Sequence, residues 1–160
     1  LHGYKKIEAE GPEARMPLLE DFLMASLYAG VAFGNAGCAA VHAMSYPLGA
    51  TFHVAHGESN YVLFTGVMKE YLRHKADGEI AVMNTHLADL LNCSTDKVYD
   101  ALEALLDHVL PKKALREYGV RQDELPDWAA SVMENQQRLL KNSFISMSRE
   151  LVLKIYQDLY

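Results

Sequence analysis

The sequence has few cysteines, no basic run and one long stretch without charge. Its 160 residues include only two cysteines, Cys38 and Cys93, which are too far apart to form a Cys-x-x-Cys pair. A disulfide framework is not expected, and a cytoplasmic location is predicted because reducing compartments keep thiols free. The formal net charge is −6, which argues against a nucleic-acid partner.

No Asp, Glu, Lys or Arg occurs between Phe22 and Gly57. Residues 22–41 of this stretch are long and apolar enough to suggest a membrane span. However, Gly34-Asn35-Ala36-Gly37 interrupts them, and no Lys or Arg immediately flanks them. Helices that are apolar all round also occur in the cores of soluble proteins. We therefore predict a buried helix pair and no membrane partner.

Apolar residues recur at helical spacing along most of the chain, and no segment alternates with a period of two. Residues 1–11 are the exception: they form a leading segment without clear periodicity, which ends at Gly11-Pro12. Near the C-terminus we expect a short helix closed by Gly119, a helix from about residue 124 to 141, and a last helix capped by Ser146. The sequence thus predicts an all-α helical bundle, with residues 1–160 as a single domain.

Three of the seven histidines lie between residues 41 and 57, inside the uncharged stretch. A buried imidazole needs a partner, because an unsatisfied polar group costs about 1–3 kcal/mol. His42 falls on a predicted helix and His56 where a connector meets the next helix, so both could reach one ion. Two histidines are half of a catalytic metal site, which needs at least three protein ligands. Spacing alone leaves core histidines bonded to the backbone as the alternative.

This stretch resembles the signature of the iron-containing alcohol dehydrogenases. The matching residues are Gly34-Asn35-Ala36-Gly37, His42-Ala43-Met44, Tyr46-Pro47-Leu48-Gly49 and His56-Gly57. Within that family, residues 37–49, followed by Phe52-His53 and by residues 56–61, are similar to 4-hydroxybutyrate dehydrogenases, and residues 137–142 also fit. The resemblance covers nearly the whole chain and implies the all-helical, metal-binding C-terminal domain of the family.

In that family an aspartate and three histidines hold Fe(II), or sometimes Zn(II). The resemblance implies that His42 and His56 are the last two ligands. It also implies that the other two ligands and the domain that binds NAD(H) lie upstream, so the chain is expected to be a fragment. Residues that contact NAD(H) are therefore not assigned. The implied partners are a small hydroxy acid or aldehyde, the missing N-terminal domain and a second copy in a homodimer.

Three further residues have roles implied by the resemblance. Tyr46 stands where most relatives have a histidine, and its phenol could relay a proton or simply form a pocket wall, since phenols are poor bases at neutral pH. Phe33 matches a position that lines the substrate pocket, with core packing as the alternative. His53 could bind the carboxylate of a hydroxy acid or form a hydrogen bond within the connector.

The resemblance implies an NAD-dependent enzyme that interconverts 4-hydroxybutyrate and succinate semialdehyde by metal-assisted hydride transfer. A divalent cation would stabilise the negative charge that builds on the aldehyde oxygen, and the nicotinamide would carry the hydride. The fragment alone is expected to be inactive. The alternative function is a non-enzymatic helical interaction module whose histidines are satisfied internally.

Overall fold

A computed structural model describes all residues from 1 to 160, and it contains helices but no β-strand. The α-helices are α1 (His2–Glu10), α2 (Leu19–Ala36), α3 (Ala40–Phe52), α4 (His56–His74), α5 (Glu79–Leu91), α6 (Val98–Asp107), α7 (Leu125–Asn135), α8 (Gln137–Leu140) and α9 (Arg149–Asp158). Short 3₁₀ segments span Pro12–Leu18, Thr95–Lys97, Leu115–Tyr118 and Gln122–Glu124. The all-α prediction is therefore confirmed.

The helices form two compact units. The first unit comprises Leu1–Ala36 and Asp77–Pro111, and therefore α1, α2, α5 and α6. The second unit comprises Gly37–Ala76 and Lys112–Tyr160, and therefore α3, α4 and α7 to α9. That residues 1–160 fold as a single domain stays a prediction.

The core of the second unit is built where α3 packs along α4 and α7 packs along α9. Trp128 of α7 stands edge-on to Tyr156 of α9, with ring centres 5.5 Å apart. The hydroxyl of Tyr156 donates a hydrogen bond of 2.7 Å to the carbonyl of Met44, and both residues are fully buried. This bond ties α9 to the middle of α3, so α3 is held from both sides.

In the first unit, α6 presents an apolar face to its neighbours, and both α1 and α5 pack against it. The hydroxyl of Tyr99 on α6 donates a hydrogen bond of 2.6 Å to Oδ1 of Asn84 on α5, and both side chains are buried. The interior of this unit is therefore small, apolar and crossed by one polar pair.

Helix α2 buries none of its residues, so the prediction of a buried helix pair was wrong for this helix. Its apolar side chains are largely exposed, Leu23 to 70% and Tyr28 to 66%. The segment Pro12–Ala36 is long and apolar enough to cross a membrane, but this is weak evidence because core helices and signal sequences pass the same test. An apolar composition indicates that a helix packs against other apolar surface, but it does not identify that surface.

The predicted break between the first two long helices is confirmed. Helix α2 ends at Ala36, and Gly37 adopts a φ of +80°, which favours glycine. A Cβ at Gly37 would lie only 2.6 Å from Nδ2 of Asn142, so a larger residue would also displace that side chain. The short helix closed by Gly119 is confirmed as a 3₁₀ segment, with a φ of +92° at the glycine.

Two local predictions were wrong, and residues 1–11, which show no clear periodicity in the sequence, contain α1. The helix predicted from about 124 to 141 is interrupted at Gln136, whose ψ of 22° cannot continue the helical hydrogen-bond pattern. The last helix is capped by Ser148 and not by Ser146, because the Ser148 hydroxyl accepts a hydrogen bond from the amide of Leu151 at 3.2 Å.

Candidate metal centre

The connector between α3 and α4 is short and sharply turned. Helix α3 ends at Phe52, and His53 adopts the left-handed conformation with a φ of +55°. The chain then runs into α4, which begins at His56. A Cβ added to Gly49 would lie 3.5 Å from the carbonyl oxygen of Val54, so the connector folds back against α3. The beginning of α4 therefore lies beside α3.

This turn brings His42 and His56 together. Their ring centres are 5.3 Å apart and the ring planes are inclined by 50°. His42 lies in the first turn of α3 and is half-buried, while His56 is the first residue of α4 and is exposed. The rings are therefore accessible from solvent at one edge and fixed to two packed helices.

Two buried serines occupy matching positions behind the histidines. The hydroxyl of Ser45 donates to the carbonyl oxygen of His42, and the hydroxyl of Ser59 donates to the carbonyl oxygen of His56, each at 3.0 Å. Both serines are only 1% exposed. Because each hydroxyl is satisfied by its own helix, the packed contact between α3 and α4 contains no unpaired serine hydroxyl.

Asn60 is a polar neighbour of His56 that the sequence analysis missed. Its side-chain Nδ2 lies 3.0 Å from Nε2 of His56, one helical turn away on α4. The spacing of four residues was the available signal, because such pairs lie on one face of a helix.

Burial and the neighbouring imidazole of His56 lower the pKa of His42. Both causes act against the protonated ring, since burial disfavours a charge and a second imidazolium would repel it. The neutral form is therefore favoured. Only a neutral imidazole has a free lone pair with which to bind a metal ion.

The spacing of the pair fits a shared metal ion. Two imidazoles whose nitrogens each lie about 2.1 Å from one tetrahedral ion have ring centres roughly 5 Å apart. The observed 5.3 Å between His42 and His56 agrees with this value. Across residues 1–160, however, no group of three or more His, Cys, Asp or Glu side chains could hold an ion. The residues present therefore supply at most two histidine donors, fewer than a catalytic metal ion needs.

Tyr46 lies one helical turn after His42 on α3 and is 40% exposed. With Thr51 of the same helix and Trp128 and Gln136 near α7, it lines an open cavity of about 270 Å³ on the second unit. The cavity wall combines aromatic faces with uncharged polar groups. It contains no ionisable group other than the phenol of Tyr46.

The two remaining predicted residues differ in how the structure presents them. His53 is exposed on the connector between the two histidines of the pair. Phe33 lies on α2 in the first unit and is 54% exposed, so the alternative of core packing was wrong for it. The structure therefore brings together His42 and His56, and it leaves the roles predicted for His53 and Phe33 as predictions.

The family model of the Fe-containing alcohol dehydrogenase family, C-terminal, matches residues 2–160. The chain belongs to the iron-containing alcohol dehydrogenase family. It is 46% identical to the 4-hydroxybutyrate dehydrogenase of Clostridium kluyveri over 160 residues, which cover all of this chain and 43% of that protein. It is 32% identical to long-chain-alcohol dehydrogenase 1 of Geobacillus thermodenitrificans over 158 residues, covering 96% of this chain and 39% of that protein.

Solved structures of this family have the same fold. A 1,3-propanediol oxidoreductase superposes with a TM-score of 0.66 at 25% identity, over 85% of this chain and 36% of that one. The alcohol dehydrogenase from Oenococcus oeni superposes with a TM-score of 0.69 at 21% identity, over 92% of this chain and 38% of that one. The chain spans less than half the length of the curated relatives it matches.

Membership of the family has consequences for cofactors. The family implies a metal and NAD as cofactors of its enzymes in general. A pair of histidines at ligand spacing fits the first of these, since imidazole suits both iron and zinc. The described residues offer no equally direct indication of where a nicotinamide would bind.

Proposed function

We propose that these residues form the metal-binding part of an NAD-dependent alcohol dehydrogenase that interconverts 4-hydroxybutyrate and succinate semialdehyde. The observation that carries the proposal is the pair His42 and His56 at 5.3 Å, in a chain 46% identical to a 4-hydroxybutyrate dehydrogenase. The proposed metal is Fe(II), with Zn(II) as the alternative. The proposed enzyme acts in the cytoplasm and includes an N-terminal nucleotide-binding domain and a homodimer partner.

His42 and His56 would hold the ion together with an aspartate and a third histidine from an upstream helix. When bound, the divalent ion supplies Lewis-acid chemistry to the oxygen of the alcohol or aldehyde. The contribution of this chain is to hold two neutral donors at a fixed separation. The packed helices α3 and α4 do this without an ordering cost at the moment of binding.

Tyr46 is proposed to lie beside the reacting oxygen, one turn along α3 from His42. Its side chain is 40% exposed and lines the cavity, and its hydroxyl could donate a proton to the oxygen when the aldehyde is reduced. Replacing Tyr46 with Phe should then lower kcat by roughly 10²-fold while metal content stays unchanged. A kcat close to that of the unmodified enzyme would leave Tyr46 as a pocket wall.

His53 is proposed to bind the carboxylate of the hydroxy acid. No Lys or Arg occurs between Phe22 and Gly57, so besides the two proposed ligands His53 is the one side chain of that stretch that can carry positive charge. Replacing His53 with Ala should raise KM for 4-hydroxybutyrate but not for the uncharged 1,4-butanediol. An equal change for both substrates would contradict this role.

Phe33 is proposed, on resemblance alone, as an apolar part of the substrate pocket. An unchanged KM for 4-hydroxybutyrate in Phe33→Ala would contradict that role.

Metal analysis of the full-length protein tests the central proposal. We expect one ion per chain in the purified protein and less than a tenth of that in His42→Ala and in His56→Ala, with activity lost in parallel. His86→Ala is the matched control, because His86 is an exposed histidine of the first unit, and it should keep both properties.

Unchanged metal content in both ligand variants would defeat the proposal. A full-length protein that binds no divalent metal would instead support the alternative, a helical interaction module whose histidines are satisfied internally.

A further inference from the structure

The first turn of α4, which contains His56, has little intrinsic stability. The residue before it, Ala55, provides no side-chain hydrogen bond to cap the helix, and the residue after it is Gly57. Alanine is a poor N-cap, and glycine is the least favourable helix residue after proline. The hydrogen bond from Ser59 to the carbonyl of His56 lies within this turn and connects it to no other element. The position of His56 therefore depends on contacts from outside α4.

One such contact comes from a distant part of the chain. The hydroxyl of Tyr118 donates a hydrogen bond of 2.8 Å to Oε1 of Glu58, which lies 60 positions earlier in the sequence. Both side chains are half-buried, and Glu58 is in the same helical turn as His56. A hydrogen bond to an ionised carboxylate is stronger than one between neutral groups. The phenol thus joins the turn of His56 to the 3₁₀ segment Leu115–Tyr118.

This 3₁₀ segment is fixed to two other helices of the second unit. The amide of Leu115, a fully buried residue, donates a hydrogen bond of 2.9 Å to the carbonyl of Leu159 at the end of α9. At the other end of the segment, a Cβ added to Gly119 would lie 3.5 Å from the ring of Phe52, the last residue of α3. The segment therefore contacts the end of α3 as well as the beginning of α4.

We propose that Tyr118 is a positioning residue for His56: it holds the first turn of α4 through Glu58 and so keeps His56 at its separation from His42. This inference rests on the proposed metal site. Without the hydrogen bond the turn opens more often, because exposed helix ends have low local stability. The apparent affinity for the ion then falls in proportion to the fraction of molecules in which the turn is formed.

The test is Tyr118→Phe in the full-length protein, a change that removes one hydroxyl and keeps the ring. In the metal-free protein we measure hydrogen exchange at the amide of Ser59, whose bond of 2.9 Å to the carbonyl of Ala55 closes the first turn. We also titrate with Co²⁺ and follow its visible absorption. Exchange should become about 10-fold faster and Co²⁺ binding about 10-fold weaker, the low end for a hydrogen bond to a charged group.

Variants of Glu58 test whether Tyr118 acts through this carboxylate. Glu58→Ala should accelerate exchange as Tyr118→Phe does, whereas Glu58→Gln keeps an acceptor oxygen and should retain most of the protection. Adding Tyr118→Phe to Glu58→Ala should change Co²⁺ affinity by no more than about 2-fold, since the bond is already lost.

Tyr99→Phe is the matched control. It is the same substitution and removes a hydrogen bond of 2.6 Å to Asn84 in the first unit. It should lower global stability and leave both the Ser59 exchange under native conditions and the Co²⁺ affinity unchanged. A similar loss of affinity in Tyr99→Phe would mean that general stability, and not the turn of His56, limits metal binding, and this would overturn the inference.

Unchanged Co²⁺ affinity in Tyr118→Phe, or a further 10-fold loss when it is added to Glu58→Ala, would also overturn the inference and leave the metal site intact. Failure of the unmodified protein to bind Co²⁺ would overturn the metal site itself. The two failures are therefore distinguishable within one experiment.

Discussion

The two units differ in how completely they cover their own apolar side chains. Of the fourteen large hydrophobic side chains that are exposed, thirteen belong to the first unit, and Tyr46 alone belongs to the second. Nineteen of the twenty-six buried hydrophobic residues belong to the second unit. The second unit therefore has a core that its own helices complete, whereas the first unit leaves the apolar residues of α2 uncovered.

This difference shows why the proposed metal donors lie where they do. A ligand pair needs its separation held to a fraction of an ångström, and rigid, packed helices provide this better than a mobile segment does. His42 and His56 lie on α3 and α4 of the unit whose core is complete. The one large hydrophobic side chain that this unit exposes, Tyr46, lies beside them and lines a cavity.

The largest loss of stability is expected when a buried side chain of the second unit is truncated. Leu48 of α3 is fully buried, so Leu48→Ala should lower the free energy of unfolding by about 3 kcal/mol. Chemical denaturation of the full-length protein measures this loss. A loss below about 2 kcal/mol, the low end for Leu→Ala in a protein core, would contradict the view that this unit is tightly packed.

A smaller loss of stability is expected when the polar network that joins α4 to α9 is disrupted. Glu70 is 2% exposed, accepts a hydrogen bond of 2.7 Å from Nζ of Lys154 and pairs with Arg73. Glu70→Gln should cost about 1–2 kcal/mol at pH 7, less than for a fully buried ion pair, because both cations are half exposed and remain hydrated.

The same network predicts a pH dependence. Burial raises the pKa of Glu70, but the hydrogen bond and charge of Lys154 and the charge of Arg73 outweigh it and hold the pKa below its ordinary value. The contribution of Glu70 is thus complete above the pKa of an unfolded glutamate and is lost as pH falls through the lower, folded-state pKa.

The difference in melting temperature between the unmodified protein and Glu70→Gln should therefore shrink as pH falls from roughly 5 towards 3. Glu134→Gln, at an exposed position of α7, is the control and should show little difference at any pH. A pH-independent difference would contradict the ionic origin of the effect.

The smallest effect is expected from the same type of truncation in the first unit. Leu27 of α2 is 57% exposed, so Leu27→Ala should change the free energy of unfolding by no more than about 0.5 kcal/mol, since alanine also favours the helix. Leu27→Ala and Leu48→Ala are the same substitution at an exposed and at a buried position, so the difference between their stability losses measures the effect of burial. A loss in Leu27→Ala similar to that in Leu48→Ala would show that α2 is covered in the full-length protein, and the comparison of the two units would fail.

Features that depend on neighbours in sequence were predictable. The helical class follows from the period of the apolar residues, and the break at Gly37 and the turn at Gly119 follow from glycines that adopt a positive φ. His42 and His56 were singled out from the sequence as well, but through a long motif that resembles the signature of the family. For the helices and the two turns the cause is local, because it depends on residues that are close together in the sequence.

Tertiary structure decided what depends on segments that are distant in sequence. The 5.3 Å between the two imidazoles results from the packing of α4 back along α3, and the burial of Glu70 from the approach of α9. The exposure of α2 could not be predicted, because an apolar composition favours burial but does not show which segment would bury the helix. The distances between side chains on different helices, and the burial of those side chains, are set only when the helices pack together. For this protein they determine whether two histidines can bind one ion.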